Sequence, residues 1–290
     1  MTSPIFSVVL PAVLAIVMFG LGLSLTLADF ARVATVPRAV VVTLLCQLLL
    51  LPAVCFGLVL LFGLETDLAI GMMLLVASPG GITASVLTHL AGGDVAFSVS
   101  VTAVNSVLAV VTLPVVATVA IGYFAGGGAS VGLQWDKLAQ VFALVLVPVG
   151  LGMVVRARAA AFADRMERPV RIASVVALTL AILAAVFQQL DALLPNLAAV
   201  GLVCLLLSVL SLSLGYAVPR LVLVSRRQAI ASSMEIGVHN AVLAITVAAT
   251  VLGNPAAAMA PAVYGLLMYL PAGALAWALS RRTVRGTQPA

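Results

Sequence analysis

The sequence predicts an all-α polytopic membrane protein with nine transmembrane helices, and three observations carry that expectation. Hydrophobic residues make up 64% of the chain and charged ones 8%. The mean hydropathy is +1.29, and a domain with such a surface would not stay in water. The apolar residues gather into runs of about 20 or more, the length a helix needs to cross a bilayer. The shorter alternating runs of a transmembrane β-barrel are missing. The third observation is the placement of positive charge. If the N-terminus lies outside and spans alternate, 13 of the 14 Lys and Arg residues fall on one side. They are Arg32 and Arg38; Arg156, Arg158, Arg165, Arg168 and Arg171; Arg220, Arg226 and Arg227; and Arg281, Arg282 and Arg285, with only Lys137 opposite. Positive charge marks the cytoplasmic face. Eight or ten spans would scatter these residues, so nine are expected, with the C-terminus cytoplasmic. The pI of 9.6 thus reports topology and is no footprint of nucleic acid.

The expected spans are 5–27, 38–62, 68–90, 95–124, 135–155, 170–190, 195–219, 227–252 and 257–280. The first lacks a basic leader and a small-residue cleavage site and is longer than a signal-peptide core, so it is read as a retained helix. The second carries Gln47 among apolar neighbours. The third is interrupted by Ser78-Pro79-Gly80-Gly81, where a proline withholds a backbone donor and two glycines free the backbone. His89 falls near its end, at the interface, and Gly92-Gly93-Asp94 reads as a turn and helix N-cap. The fourth places Ser98, Thr102 and Asn105 at i, i+4 and i+7 on one helical face. Hydroxyl and amide oxygens suit a hard cation or a hydrogen-bonded substrate, although small polar residues also join membrane helices. The polar segment 156–169 reads as a cytoplasmic loop. Cys46, Cys55 and Cys204 all lie inside spans, as small packing residues rather than disulfides or metal ligands.

The eighth span holds Glu235-Ile236-Gly237-Val238-His239-Asn240, with Gly237 its obvious weak point. A charge at such depth costs about 2.5–3.5 kcal/mol, so Glu235 needs a partner, an ion or a wet cavity. Spans three and eight are five apart and cross the membrane in opposite directions. Paired interruptions of this kind point to an inverted-repeat transporter, whose half-helix N-termini face anions and whose freed carbonyls face cations.

Met18-Phe19-Gly20-Leu21-Gly22-Leu23-Ser24-Leu25 with Asp29-Phe30 resembles the opening motif of the bile acid:sodium symporter (BASS) family. Gln47 and Pro52 fit the same pattern. Ser78-Pro79-Gly80-Gly81, with Thr88, Leu90-Ala91, Ser98 and Thr102, is similar to that family's first broken helix and the helix after it. Glu235, Gly237 and Asn240 resemble the second. The resemblance implies two inverted repeats whose broken helices cross, here as a bacterial member lacking the usual first helix. It implies a panel of about 5–27, 135–155 and 170–190, and a core of about 38–124 and 195–280. It also implies sodium held behind the crossing by Gln47, Ser98, Thr102 and Glu235, with Ser85 and His239 at further ligand positions. Asn240, Asn105, Pro79, Gly80 and Gly81 are the expected substrate contacts. Ala84 and Ser85 stand where the family has Ser-Asn, and His239 where it has Gln. A Glu–His pair suits proton handling, so coupling to Na+ or to H+ stays open.

The function expected is secondary active symport of a small organic anion, a carboxylate or sulfonate, by alternating access across a bacterial inner membrane. The bilayer and that anion are the expected partners, with no nucleic acid. Arg38 and Arg227 stand at the very ends of core spans and no Arg or Lys falls deeper within them, so backbone dipoles, hydroxyls and amides would hold the anion. Two alternatives are weaker. Arsenite-type metalloid efflux wants a thiol at the break, where none falls. A membrane-embedded enzyme wants a His-Glu-x-x-His motif or a second buried Asp, and neither is present.

Overall fold

The computed structural model describes residues 8–126, 135–188 and 197–285, and every regular element among them is helical. Helix α1 (Leu10–Ser24) starts on Pro11 and ends where Leu25 turns extended. Helix α2 (Leu27–Arg32) follows. The chain bends by 72° between α1 and the segment Leu27–Thr35, so the span expected over 5–27 stops at Ser24. Asp29 sets the corner by accepting from the Thr26 N–H at 2.9 Å and the Thr26 hydroxyl at 2.7 Å.

Helix α3 (Pro37–Leu61) runs through a π-helical turn at Cys46–Leu50. Pro52 lacks an N–H, and the wider turn just before it accommodates the missing bond. Next come α4 (Thr66–Ala77) and α5 (Ile82–Leu90), the two halves of the interrupted third span. Helix α6 (Val95–Phe124) has the limits the sequence gives, and Asp94 caps it by accepting from the Phe97 N–H at 3.0 Å. Helices α7 (Trp135–Arg158) and α8 (Ala160–Gln188) are separated by Ala159 alone. The loop expected over 156–169 is therefore mostly helix, and an Arg156–Asp164 ion pair spans the joint. The remaining elements are α9 (Leu197–Leu221), α10 (Arg226–Gly237), α11 (Ala241–Val251), α12 (Met259–Leu267) and α13 (Tyr269–Arg285).

Five helices among the described residues are long and apolar enough to cross a membrane, or six with the bent pair at the start. The two broken spans are not among them because each half is short. At 12 residues, α4 and α10 each reach about 18 Å, and the apolar core of a bilayer is ~30 Å thick. The halves are buried by their neighbours: α4 by α6 and α12, α5 by α6 and α10, and α10 by α9. Helix α1 packs on α7 and α8.

The α1–α7 contact explains one glycine of the opening motif. A Cβ on Gly22 would strike the Val149 carbonyl, and one on Gly152 would strike the Phe19 carbonyl. Backbones meet there with no side chain between them, as small residues allow in membrane helices. Gly152→Val is expected to destabilise by about 1–3 kcal/mol through overpacking. Gly150→Val, which has open space around it, should change little. Melting temperatures of the two purified variants check this.

Candidate functional site

Two helix breaks meet in the interior. Ser78 leaves α4 in an extended conformation, and Gly81 enters α5 extended. Across from them, Val238 leaves α10 extended, and Asn240 caps α11 by accepting from the Leu243 N–H at 3.1 Å. The two stretches pair antiparallel at Gly80 and His239, and the Asn240 N–H donates to the Pro79 carbonyl at 2.9 Å. The eighth span thus breaks at 238–240. The Val238 N–H still bonds the Met234 carbonyl, which carries the helix through Gly237. Gly237 serves space instead, since a Cβ there would run into Leu212.

Glu235 is fully buried at this crossing. The Thr102 hydroxyl lies 2.8 Å from its Oε1 and 2.7 Å from its Oε2, and the Ser98 hydroxyl lies 3.4 Å from Oε2. Ser85 Oγ stands 3.2 Å from Ser98 Oγ. The Gly80 amide hydrogen-bonds the same carboxylate, and a Cβ at Gly80 would collide with it. A Cβ on Gly81 would find only ordinary contacts, so of the two glycines Gly80 is the one the site needs. Glu235, Thr102, Ser98 and Ser85 therefore form one all-oxygen group built around a single carboxyl. That donor set suits a hard cation.

Gln47 and His239 form a second group. Gln47 Nε2 donates at 3.2 Å to the carbonyls of Val76 and Ser78, which the end of α4 leaves free. His239 Nδ1 lies 3.3 Å from the Ser78 carbonyl. Gln47 Nε2 lies 3.5 Å from the same Nδ1, so these contacts fit two tautomers, and the one that donates from Nδ1 to the carbonyl leaves the lone pair on Nε2. That Nε2 and the Gln47 Oε1 are buried with no partner among the described residues. Gln47 does not hydrogen-bond Glu235, and the sequence-predicted ligands fall into these two adjacent groups. Backbone segments 76–80 and 235–239 connect them.

Asn105 is 1% exposed, and neither its Oδ1 nor its Nδ2 has a partner among the described residues. It lies one turn beyond Thr102 on the face that carries Ser98 and Thr102. Pro79, Gly80 and Asn240 are joined at the crossing, and Gly81 heads α5, whose first turn has no side-chain cap. The cysteines stand apart. Cys204 contacts Met72 Sδ and the Ala260 carbonyl, each at 3.8 Å. No group of three metal-ligating side chains of the His, Cys, Asp or Glu type occurs among the described residues.

Sequence reasoning missed Tyr264. Its hydroxyl donates at 2.9 Å to the Gly237 carbonyl at the end of α10, and its ring lies 5.6 Å from that of His239. The signal was available: tyrosine favours membrane interfaces, and this one sits fully buried within the last predicted span. Thr43 was also missed, which donates to the Ser232 hydroxyl at 3.0 Å and ties α3 to α10.

Residues 11–196 match the Sodium Bile acid symporter family. The chain is 28% identical over 269 residues to an uncharacterized sodium-dependent transporter of Bacillus subtilis (strain 168), YocS, covering 93% of this chain and 82% of that protein. It is 30% identical over 253 residues to a probable sodium/metabolite cotransporter of Arabidopsis thaliana, chloroplastic BASS1, covering 86% of this chain and 61% of that one. The human ileal sodium/bile acid cotransporter is 25% identical over 250 residues, covering 84% and 70% respectively. These relatives are named as carriers, none as an enzyme. With a family match over well more than half its length, this chain belongs to the Sodium Bile acid symporter family and is a multi-pass membrane transporter.

Proposed function

We propose that the protein is a secondary active transporter that takes up a small organic anion, a carboxylate or sulfonate, together with Na+ by alternating access. The observation that carries this reading is Glu235, fully buried where two broken helices cross and surrounded by hydroxyls rather than by a basic side chain. A carboxylate so placed gains most from a cation that can enter and leave. The Thr102 hydroxyl hydrogen-bonds the carboxylate. Arrival of Na+ would turn the Thr102, Ser98 and Ser85 oxygens toward the ion, and the loss of those hydrogen bonds would be offset by direct attraction. Gln47 Oε1 and His239 Nε2 are the acceptors proposed for a second cation position.

The anion is assigned to the other side of the Pro79-Gly80-Gly81 strand, at the head of α5. The first N–H groups of a helix are free donors at the positive end of its dipole. Asn240 and Asn105 would supply amide donors. Cation and anion would then sit on opposite sides of one strand, so each favours the other. We assign α1, α7 and α8 to a panel and the remaining helices to a core, and count nine crossings by taking the bent first pair, each of the two broken pairs, α12 with α13, and each of α3, α6, α7, α8 and α9 as one. The N-terminus is assigned outside and the C-terminus to the cytoplasm of a bacterial cell.

Thermal melting of the purified protein in matched NaCl and KCl tests the reading without a known substrate. Na+ at about 100 times its dissociation constant should stabilise the wild type by about 2.7 kcal/mol, and Glu235→Gln should abolish the difference. Equal melting of the wild type in the two salts would sink sodium coupling. Thr102→Val keeps the shape and removes the hydroxyl, so it should weaken Na+ binding by about ten-fold or more, measured as the NaCl midpoint of the same stabilisation.

The unpartnered Nε2 of His239 favours a second reading, in which H+ takes the place of one Na+. It predicts that the Na+ dependence of melting changes between pH 6 and pH 8 in the wild type and not in His239→Gln. An identical pH response in both proteins would remove the proton reading.

A further inference from the structure

We propose that the Arg-rich end of the protein holds the headgroup of an anionic glycerophospholipid in a cavity between α9, α10 and α13. The cavity measures about 400 Å³ and is lined by Tyr216, Arg226, Leu275 and Leu279. Helix α9 packs on both α10 and α13, which forms two of its sides. Leu275 and Leu279 are four apart on α13 and present one apolar face. Tyr216 lies near the end of α9, and Arg226 opens α10, so the cavity sits where the helices leave the bilayer.

Charge selects the occupant. From Leu197 to Arg285 the chain contains six arginines and one acidic residue, Glu235, which is fully buried. Arg226 is exposed and takes part in neither ion pair found among the described residues, Arg32–Asp29 and Arg156–Asp164. Asp94 reaches this end, its N–H donating to the Arg227 carbonyl at 3.0 Å, but its carboxylate is engaged in capping α6. Two of the other arginines here are committed: Arg220 donates to the Val224 carbonyl at 2.7 Å, and Arg281 lies 3.6 Å above the ring of Trp277. Arg226 is the one that lines the cavity. A guanidinium pairs with a phosphate diester through two parallel N–H donors. Tyr216 offers a phenol beside it, and the leucine wall takes the first methylenes of the acyl chains. A second cavity of about 540 Å³, lined by Val42, Leu45, Cys46, Leu49, Leu50, Val218 and Val222, has no charged residue in its lining and so no headgroup partner.

The test is lipid retention by the intact protein in detergent, counted by native mass spectrometry with phosphatidylglycerol or phosphatidylcholine added at equal concentration. One phosphatidylglycerol should be retained preferentially, and Arg226→Gln should weaken its retention about five-fold, the effect of one juxtamembrane positive charge. Leu279→Trp, which fills the cavity without touching charge, should block retention as well. Arg227→Gln should leave it essentially unchanged. Equal retention of phosphatidylcholine, or an equal loss in Arg227→Gln, would overturn the site in favour of a diffuse basic collar. Release of the bound lipid by soluble glycerophosphate at matched concentration would also overturn it, because the cavity would then read a free phosphate.

Discussion

Backbone groups exposed by a helix break have no water to turn to inside a bilayer, and the architecture at the centre of this protein follows from that constraint. Each break is the other's partner. The strand Ser78–Gly81 and the strand Val238–Asn240 pair at Gly80 and His239, with the Asn240 N–H on the Pro79 carbonyl. Side chains satisfy much of what remains. Gln47 from α3 takes the Val76 and Ser78 carbonyls at the end of α4, Tyr264 from α12 takes the Gly237 carbonyl at the end of α10, and Asn240 caps α11. The breaks therefore fix α3 and α12 in place as much as they are held by them. One helix end, the start of α5, is left without a side-chain cap.

The same constraint places the charge. Glu235 lies on α10 just before its break, so its carboxylate reaches across to the Gly80 amide and to the hydroxyl face of α6. Gly80 is required because the strand and the carboxylate occupy adjoining space that a Cβ would fill. The result is a carboxyl group held by donors that can turn away, with no Arg or Lys paired to it among the described residues. Such a group can pass between hydrogen bonds and an ion. A permanent Arg–Glu ion pair in the same place would commit it.

Much of this was legible in the sequence because apolar runs, Pro-Gly interruptions and isolated polar residues are local signals. The helix expected over 95–124 has those limits, and Asp94 is the N-cap expected of it. The interruption at Ser78-Pro79-Gly80-Gly81 is in place, and Glu235, Thr102, Ser98 and Ser85 converge. What failed to show were features decided by distant contacts. The eighth span passes through Gly237 and breaks at 238–240 because the partner strand supplies bonds there, and no residue in that stretch is itself a helix breaker. Segment 156–169 is polar and reads as loop, yet α8 extends over it from Ala160. The 72° corner after Ser24 is the local exception: a Thr26–Asp29 capping pair sets it, and Asp29 enters the sequence reading only through the opening motif.

The backbone contact between Gly22 and Gly152 has a consequence for motion. Two helices separated by side chains can slide by exchanging rotamers, as meshed teeth slip when they bend. Where carbonyl and Cα atoms touch directly, there are no teeth to bend, and axial sliding would press one backbone into the other. Helices α1 and α7 are therefore a single lever arm. Any displacement of the first is transmitted to the second, and the Leu25–Thr26 corner at the end of α1 is where that arm can pivot against the rest of the chain.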